Sequence, residues 1–483
     1  MKAKLRFAPS PTGNLHIGSV RTAIFNWVWA QSLNASLVLR IEDTDLERSK
    51  KEYEENIMDG LNWLGLVFDE GPHKPTQKMK YRQSERIQDK VYWPYINQLL
   101  ASGNAYYCFE TDEELQAERE AADHQGIPYI YSRKSLRYSS EEVEKKLMDG
   151  VPWTIRFKVP NNKTVIVNDV IRGDIGFETN LISDFIMVKS DGNPTYNFAV
   201  VIDDYDMGIT HVVRGEDHIS NTPRQMMVYE AFGWDIPVFA HLPIILGTDR
   251  SKLSKRHGAK SVTEYRDDGF IPDALINYLS LLGWSPPDGR ELLTRDELSE
   301  LFDISRINKA GAVFDSVKLT WMNKQYLAKK SDDEILDLLH PFLAASLRGM
   351  VNLDKKILSV RDNVEILSQI NEYLDVYARD TNQFFNKFQT LPISDSDIQV
   401  IEYVSSAIIS ASHWDQVVIS ELINDAMNGL SLNKGHVMKP LRKSMTGEES
   451  GPNLIDCLAN IPLDEIKTRL AMVLKYVNST ASN

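Results

Sequence analysis

Residues 6–19 read RFAPSPTGNLHIGS, and the fold turns on how this stretch is punctuated. Leu5 to Ala8 is a short apolar run carrying one arginine. Pro9 and Pro11 end it, because neither has a backbone N–H to give to a neighbouring strand. Gly13 permits a sharp reversal. From Leu15 through Ala30, apolar residues recur at helical spacing (Ile17, Val20, Ile24, Phe25, Val28), which predicts a helix with His16 and Gly18 in its first turn. A helix start offers unpaired N–H groups and partial positive charge to phosphate oxygens. Gly18 leaves the backbone open to an adenine or ribose, and His16 can donate to a phosphate oxygen.

Working outward, Leu37–Ile41 reads as a buried strand and Glu52–Leu64 as a helix, so the first 80 or so residues alternate strand and helix. Such alternation predicts a Rossmann-like parallel sheet with its ligand at the strand ends. From about residue 110 the pattern changes. Two charged helices (Asp112–Ala122 and Glu141–Leu147) precede strands at Trp153–Val159 and Val165–Val170, an α+β insertion after which the nucleotide fold resumes near Asn193. Residues 265–325 are mainly helical. Beyond Ser331 the chain is almost continuous amphipathic helix, broken at Leu391-Pro392 and Gly447. The expected fold class is α/β, with an all-α C-terminal region, divided as 1–110, 111–192, 193–250, 251–330 and 331–483.

A second motif lies far along the chain. Residues 252–256 read KLSKR, flanked by Asp249 and Gly258, and predict a polar loop. Alone it is a solvated basic loop. Paired with the first motif it completes a cradle for a nucleoside triphosphate and points to adenylate transfer, in which pyrophosphate leaves with added negative charge. Mobile ammonium groups that engage mainly in the transition state suit that step, and Lys252 and Lys255 are placed for it.

Composition fits a large soluble enzyme of three or so domains, 483 residues long. No apolar run approaches the roughly 18 residues of a membrane span, and the chain opens directly into a strand, so a cytosolic protein with no membrane partner is expected. The net charge of −14 does not announce a nucleic-acid binder, but local basic surface decides that question. Candidate patches are Arg133-Lys134 with Arg137, Arg156 with Lys158, Lys324, and the cluster Lys434, His436, Lys439, Arg442, Lys443. The only cysteines are Cys108 and Cys457. Cys108 reads as a small buried hydrophobe in an insert held by packing alone.

RFAPSPTGNLHIGS resembles the His-Ile-Gly-His motif of class I aminoacyl-tRNA synthetases, and KLSKR resembles their Lys-Met-Ser-Lys-Ser loop. Longer strings narrow the likeness: RIEDTDLERS at 40–49, WLGLVFDEGP at 63–72, YRQSER at 81–86, NPTYNFAVVIDDYDMGITHVVRGEDHISNTPRQ at 193–225 and GFIPDALINYLSLLGW at 269–284. Together they resemble the bacterial glutamyl-tRNA synthetases from Lys4 to about Gln325, and more loosely to the C-terminus. Ser19 stands where the general motif has its second His, a position where glutamyl enzymes usually carry a small residue. Leu253 replaces Met, and Arg256 replaces the final Ser.

The resemblance implies ATP-dependent activation of L-glutamate to glutamyl-adenylate, with Mg²⁺, and transfer to the 3′-terminal adenosine of tRNA(Glu), by a monomer that activates its amino acid only with tRNA bound. By the same likeness residues 111–192 grip the tRNA acceptor end, 251–330 carry the KLSKR loop and a stem-contact domain, and 331–483 bind the anticodon. The implied catalytic residues are His16, Lys252 and Lys255. ATP falls to Pro9, Thr12, Gly13, His16, Gly18, Ser254, Lys255 and Arg256; glutamate falls to Arg6, Ala8, Ser10, Glu42, Tyr196 and Arg214. Arg214 is assigned to the side-chain carboxylate, Glu42 to the α-ammonium, and Tyr196, read in a strand, to the polar wall with Ser10. An arginine fork pairs both oxygens of glutamate but sets the amide of glutamine donor against donor. The plain alternatives are Arg6 as a structural partner of Glu42 or Asp43, and Tyr196 as core.

Asp203-Asp204 and Glu216-Asp217-His218 are generic Mg²⁺ candidates that the sequence leaves unassigned. Many relatives carry a zinc site after the equivalent of Tyr106-Tyr107-Cys108. Here Phe109 and Glu110 follow and His124 is the next plausible ligand, so no zinc is expected. Other readings remain: a form that also charges tRNA(Gln), a truncated relative that glutamylates a tRNA base but lacks the C-terminal helices this chain has, and a noncatalytic tRNA-binding relative that should have lost His16 or Lys255.

Overall fold

β1 (Lys4–Phe7) stops just short of Pro9, as the missing proline N–H requires. The computed structural model describes residues 2–45, 47–74, 79–258 and 260–480. It divides into two compact units, Met1–Glu264 with Leu275–Ser316, and Tyr265–Ala274 with Val317–Asn483.

In the first unit, helix Ile17–Ser32 leads from β1 to β2 (Ser36–Leu39), which pairs with β1 in parallel from Lys4↔Ser36 to Phe7↔Leu39. Helix Lys51–Trp63 follows. β3 (Ala105–Cys108), helices Asp112–His124 and Ser140–Met148, β4 (Thr154–Phe157), the antiparallel hairpin of β5 (Thr164–Asp169) and β6 (Gly173–Glu178), and β7 (Ile186–Val188) come next. β8 (His211–Gly215) and β9 (Val238–Leu242) then pair in parallel. The main sheet has the order β2-β1-β8-β9-β5-β6, and β3-β4-β7 form a separate antiparallel sheet. The strands between the two nucleotide-fold segments are therefore shared between two sheets. The β5–β6 hairpin extends the main sheet through Asp169↔Phe239.

Tyr196 heads a helix, Tyr196–Asp206, where a strand was expected. The reason is burial: Phe198 to Asp204 are each buried, the two aspartates included, so no polar face betrays a helical period, and the short apolar run Phe198–Ile202 reads equally as a strand. This helix packs Phe198, Val201 and Ile202 with Val165, Val167, Val212 and Phe239 of the sheet. A fully buried side chain of that size contributes about 1.5–3 kcal/mol.

The second unit is helical. Helices Thr381–Phe388, Asp395–Ser410, Gln416–Leu430, Lys434–Thr446 and Leu463–Thr480 enclose a core that includes Phe384, Phe388, Ile401, Leu441 and Leu470. Leu391-Pro392 falls between the first two, and Gly447 ends the fourth at φ 73°, a left-handed conformation open to glycine. Reciprocal caps at Ser331/Glu334, Asp380/Gln383 and Ser394/Asp397 start three of the helices in this half of the chain. Among the described residues no helix is long and apolar enough to cross a membrane.

Candidate active site

β1 and β8 lie side by side at the point where the sheet order reverses, so their carboxyl ends open a crevice. Arg6 of β1 donates Nε to Asp204 Oδ1 at 3.2 Å. Arg40, just after β2, donates Nη1 to the same oxygen at 2.6 Å and Nη2 to Glu42 Oε1 at 3.0 Å. Asp203 accepts from Gln83 Nε2 at 2.7 Å, Arg86 Nε at 2.7 Å and Tyr92 OH at 2.9 Å. The acidic pair is thus committed to side chains of the protein. Arg6 is held by Asp204 and not by Glu42 or Asp43, the latter accepting from Ser84 N at 2.8 Å and Oγ at 2.5 Å. Burial pushes the Asp203 and Glu42 carboxyls up; at Asp204 burial is outweighed by Arg40 and Arg6, which hold it below the usual range.

Arg214 of β8 is held differently. Its Nε meets His241 Nε2 at 3.1 Å, Nη2 donates to Thr222 Oγ1 at 2.8 Å, and Nη1 lies 3.5 Å from Tyr196 OH. Among the described residues no carboxylate is hydrogen bonded to or ion-paired with it, although it is only 6% exposed. Burial depresses its guanidinium, and with neutral hydrogen-bond partners the cation has no directly paired carboxylate among the described residues, Asp204 and Glu42 acting on it only through space. Tyr196 OH meets His218 Nδ1 at 3.1 Å; burial, with Arg214 second, lowers His218 to about 4. Tyr196 feels the charges of Arg214, Glu42 and Arg6, so these assigned residues share one electrostatic site. Of the other two, Ala8 is half-buried and Ser10 is exposed on the turn that follows.

On the nucleotide side, His16 precedes the first turn of helix Ile17–Ser32 and does not lie within it. Its Nδ1 accepts from Gly18 N at 3.2 Å and Ser19 N at 3.4 Å. The ring proton therefore sits on Nε2, which meets Ser19 Oγ at 3.1 Å. A Cβ on Gly18 would stand 3.1 Å from the His16 ring, so the need for glycine arises first from this cap. Burial and then the charge of Lys252 lower His16, with Asp217 acting against them, which favours the neutral imidazole. Pro9 O accepts from Glu42 N at 3.0 Å, linking the turn to the amino-acid side. Thr12 is exposed, and a Cβ on Gly13 would meet nothing within 4 Å.

The first motif is joined to the segment that follows KLSKR: Val262 N donates to Leu15 O at 3.0 Å, and His16 bridges to Ser261. Within KLSKR, Leu253 N donates to Ile245 O at 2.9 Å. Ser254 N donates to His257 Nδ1 at 3.2 Å, and His257 Nε2 donates to Asp249 Oδ2 at 3.0 Å. Arg256 Nη2 reaches Ser251 Oγ at 3.3 Å. Hydrogen bonds from Ser251 come first among the causes that bring Asp249 to about 2. Lys255–His257 form a 3₁₀ turn, while the Lys255 side chain lies outside the described residues. Sequence reasoning named Asp249 only as a flank of the loop and missed His257 and Gly247, where a Cβ would stand 2.7 Å from the His257 ring. The Asp-Arg-Ser turn before the loop was the available signal.

Residues 2–321 match the family described as tRNA synthetases class I (E and Q), catalytic domain, and residues 334–474 match an anticodon binding domain. A glutamate–tRNA ligase of Aquifex aeolicus (strain VF5) is 46% identical over 482 residues, 99% of this chain and 100% of its own. The chain belongs to the class I glutamate–tRNA ligases. The ligase of Sulfurihydrogenibium sp. (strain YO3AOP1) is 44% identical over 98% of this chain and 99% of its own. The crystal structure of a glutamate tRNA ligase from Elizabethkingia meningosepticum CCUG26117, in complex with its amino acid, is 35% identical with a TM-score of 0.89, covering 98% of this chain and 99% of that one.

Elsewhere in this ligase, two expectations need correction. Cys108 is buried but polar in its contacts, with Sγ 2.8 Å from Glu110 Oε2 and 3.3 Å from Tyr131 OH. Glu110 also accepts from Tyr131 OH at 2.8 Å and Ser135 Oγ at 2.9 Å, so packing alone does not hold the insert. Arg156 is no surface cation: it is 7% exposed and donates Nη1 to Asp184 O at 2.7 Å. Arg133 and Lys134 pair with Asp184 and Glu118 at 2.7 and 2.8 Å, and Lys324 pairs with Glu365 at 3.4 Å. Lys434, His436 and Lys439 are exposed at the start of helix Lys434–Thr446. Among the described residues no three His, Cys, Asp or Glu side chains are grouped to hold a metal.

Proposed function

We propose that this chain activates L-glutamate with ATP and transfers the glutamyl group to the 3′-terminal adenosine of tRNA(Glu). The observation that carries the reading is Arg214, a buried guanidinium with hydrogen-bonding partners but, among the described residues, no directly paired carboxylate. The substrate's side-chain carboxylate supplies the missing charge; glutamine, nearly the same shape, would turn an NH₂ toward donors. Glu42 receives the α-ammonium, and Arg6, Ala8, Ser10 and Tyr196 complete the amino-acid pocket.

ATP lies across the turn at Pro9, Thr12, Gly13, His16 and Gly18, with Lys252, Ser254, Lys255 and Arg256 facing it. Mg²⁺ accompanies ATP and offsets phosphate charge. The α-carboxylate of glutamate attacks the α-phosphorus and pyrophosphate leaves. No protein base is needed, since the nucleophile is already an anion; catalysis is positioning and charge stabilisation. His16, neutral with its proton on Nε2, donates to a phosphate oxygen, while Lys252 and Lys255 meet the charge of the departing pyrophosphate. A ribose hydroxyl of the tRNA then attacks the anhydride carbonyl and AMP leaves. Residues 111–192 take the acceptor end and residues 331–483 the anticodon, in a cytoplasmic monomer.

Aminoacylation of purified tRNA(Glu) and tRNA(Gln), with glutamate and glutamine offered separately, tests this reading. Glutamyl-tRNA(Glu) with ATP consumed is the expected product; a preference for glutamine would reverse the assignment of Arg214.

A further inference from the structure

We propose that Asp169 is a positioning residue which, through His241, aims the Arg214 fork and thereby sets the preference for glutamate over glutamine. The inference rests on the reading of Arg214 as the receptor of the substrate's side-chain carboxylate. Asp169 comes from β5, the strand that the hairpin adds to the main sheet, and is 4% exposed. Its Oδ2 accepts from His241 N at 3.0 Å and from His241 Nδ1 at 2.6 Å; Oδ1 accepts from Ile171 N at 2.9 Å and Arg172 N at 2.8 Å. His241 is fully buried, and its other nitrogen faces Arg214 Nε at 3.1 Å and Thr222 Oγ1 at 3.1 Å.

The protonation of this chain follows from its ends. An ionised carboxylate only accepts and a guanidinium only donates. The imidazole between them must carry its proton on Nδ1 and present a lone pair at Nε2. A protonated His241 would set N–H against N–H. Burial, the largest influence, keeps the ring neutral despite Asp169. At Asp169 burial is outweighed by the hydrogen bonds from His241 and the turn, which hold the carboxyl below its usual range.

Two of the three Arg214 nitrogens are thus fixed on one edge by His241 and Thr222, and the guanidinium lies over the Phe239 ring at 5.4 Å. The edge that carries Nη1, whose one hydrogen-bond contact among the described residues is the 3.5 Å approach to Tyr196 OH, has a defined direction only while His241 accepts. In Asp169→Asn the amide NH₂ can donate to Nδ1, moving the ring proton to Nε2 and repelling Arg214.

Steady-state aminoacylation by the full-length enzyme tests this. Asp169→Asn should raise KM for glutamate about 10- to 100-fold, the scale of a buried hydrogen bond to a charged group, and narrow the preference over glutamine while leaving KM for ATP unchanged. His241→Gln supplies a carbonyl acceptor that needs no partner at 169 and should retain more of the preference. The double variant should lose no more of the glutamate preference than His241→Gln alone, because Asp169 reaches Arg214 only through the ring. Unchanged glutamate KM and preference in Asp169→Asn, an equal rise in KM for ATP, or additive losses in the double variant would each overturn the inference. If the parent enzyme fails to charge glutamate, the functional reading fails instead, so the two failures are separable.

Discussion

Arg6, Arg40, Arg214 and Asp204, on the amino-acid side, are each less than a tenth exposed and locked in short polar contacts; Asp249, Ser254 and Arg256, on the nucleotide side, are exposed and stitched by surface hydrogen bonds. The difference matches two tasks. Telling a carboxylate from an amide requires donors that cannot move or rehydrate, so their desolvation is met during folding by the pairing of Arg40, Arg6 and Asp204. Stabilising a departing pyrophosphate is best done by groups that engage late, and a loop held at the surface keeps that freedom.

The contrast predicts different consequences for losing one cation on each side. Arg40→Met strips Asp203, Asp204 and Glu42 of a shared partner and should cost about 3–5 kcal/mol of stability in denaturant unfolding. A cost within the 0–1 kcal/mol typical of exposed pairs would erase the distinction. Lys255→Ala should instead leave stability intact and raise the adenylation barrier by about 3–4 kcal/mol, with ATP binding little changed. Normal turnover with poor ATP affinity would contradict it. Arg214→Gln should lower kcat/KM for glutamate about a hundredfold and shrink its advantage over glutamine, as measured by competition between the two amino acids.

The remaining effect is on pH. His218 is held near 4 while its unfolded value is near 6.5, so between these values the unfolded chain binds a proton that the folded chain refuses. Stability from this group is therefore fully present above 6.5, falls as pH drops toward 4, and then levels off. Melting curves of the parent and His218→Gln across that window should differ in slope; parallel curves would show that the ring is not sequestered.

Much of the nucleotide side was legible because prolines and glycines mark backbone events wherever they stand: Pro9 ends β1, and Gly13 precedes the helix start that His16 caps. The amino-acid side was legible only in part. Arg214 and Tyr196 were assigned through likeness, yet Tyr196 was put in a strand because a helix buried from Phe198 to Asp204 leaves no period to read. Arg40, Asp169 and His241 were missed for another reason. Each acts through partners more than 70 residues away, or through a commitment such as Arg40 to Asp204, and no local pattern encodes such a pairing. The same remoteness made Asp203-Asp204 resemble a metal site, when their oxygens are spent on Arg6, Arg40, Arg86, Gln83 and Tyr92.

The order β2-β1-β8 has a consequence for the nascent protein. β1 leaves the ribosome well before its second neighbour, β8, which begins at His211, roughly 200 residues later. At about 5–20 residues per second, that edge of β1 waits some 10–40 s for its partner. Arg6, whose counter-ion is Asp204, waits nearly as long. The pocket is therefore completed only about midway through synthesis of the 483 residues, and until then β1 needs shielding from pairing with another copy of itself.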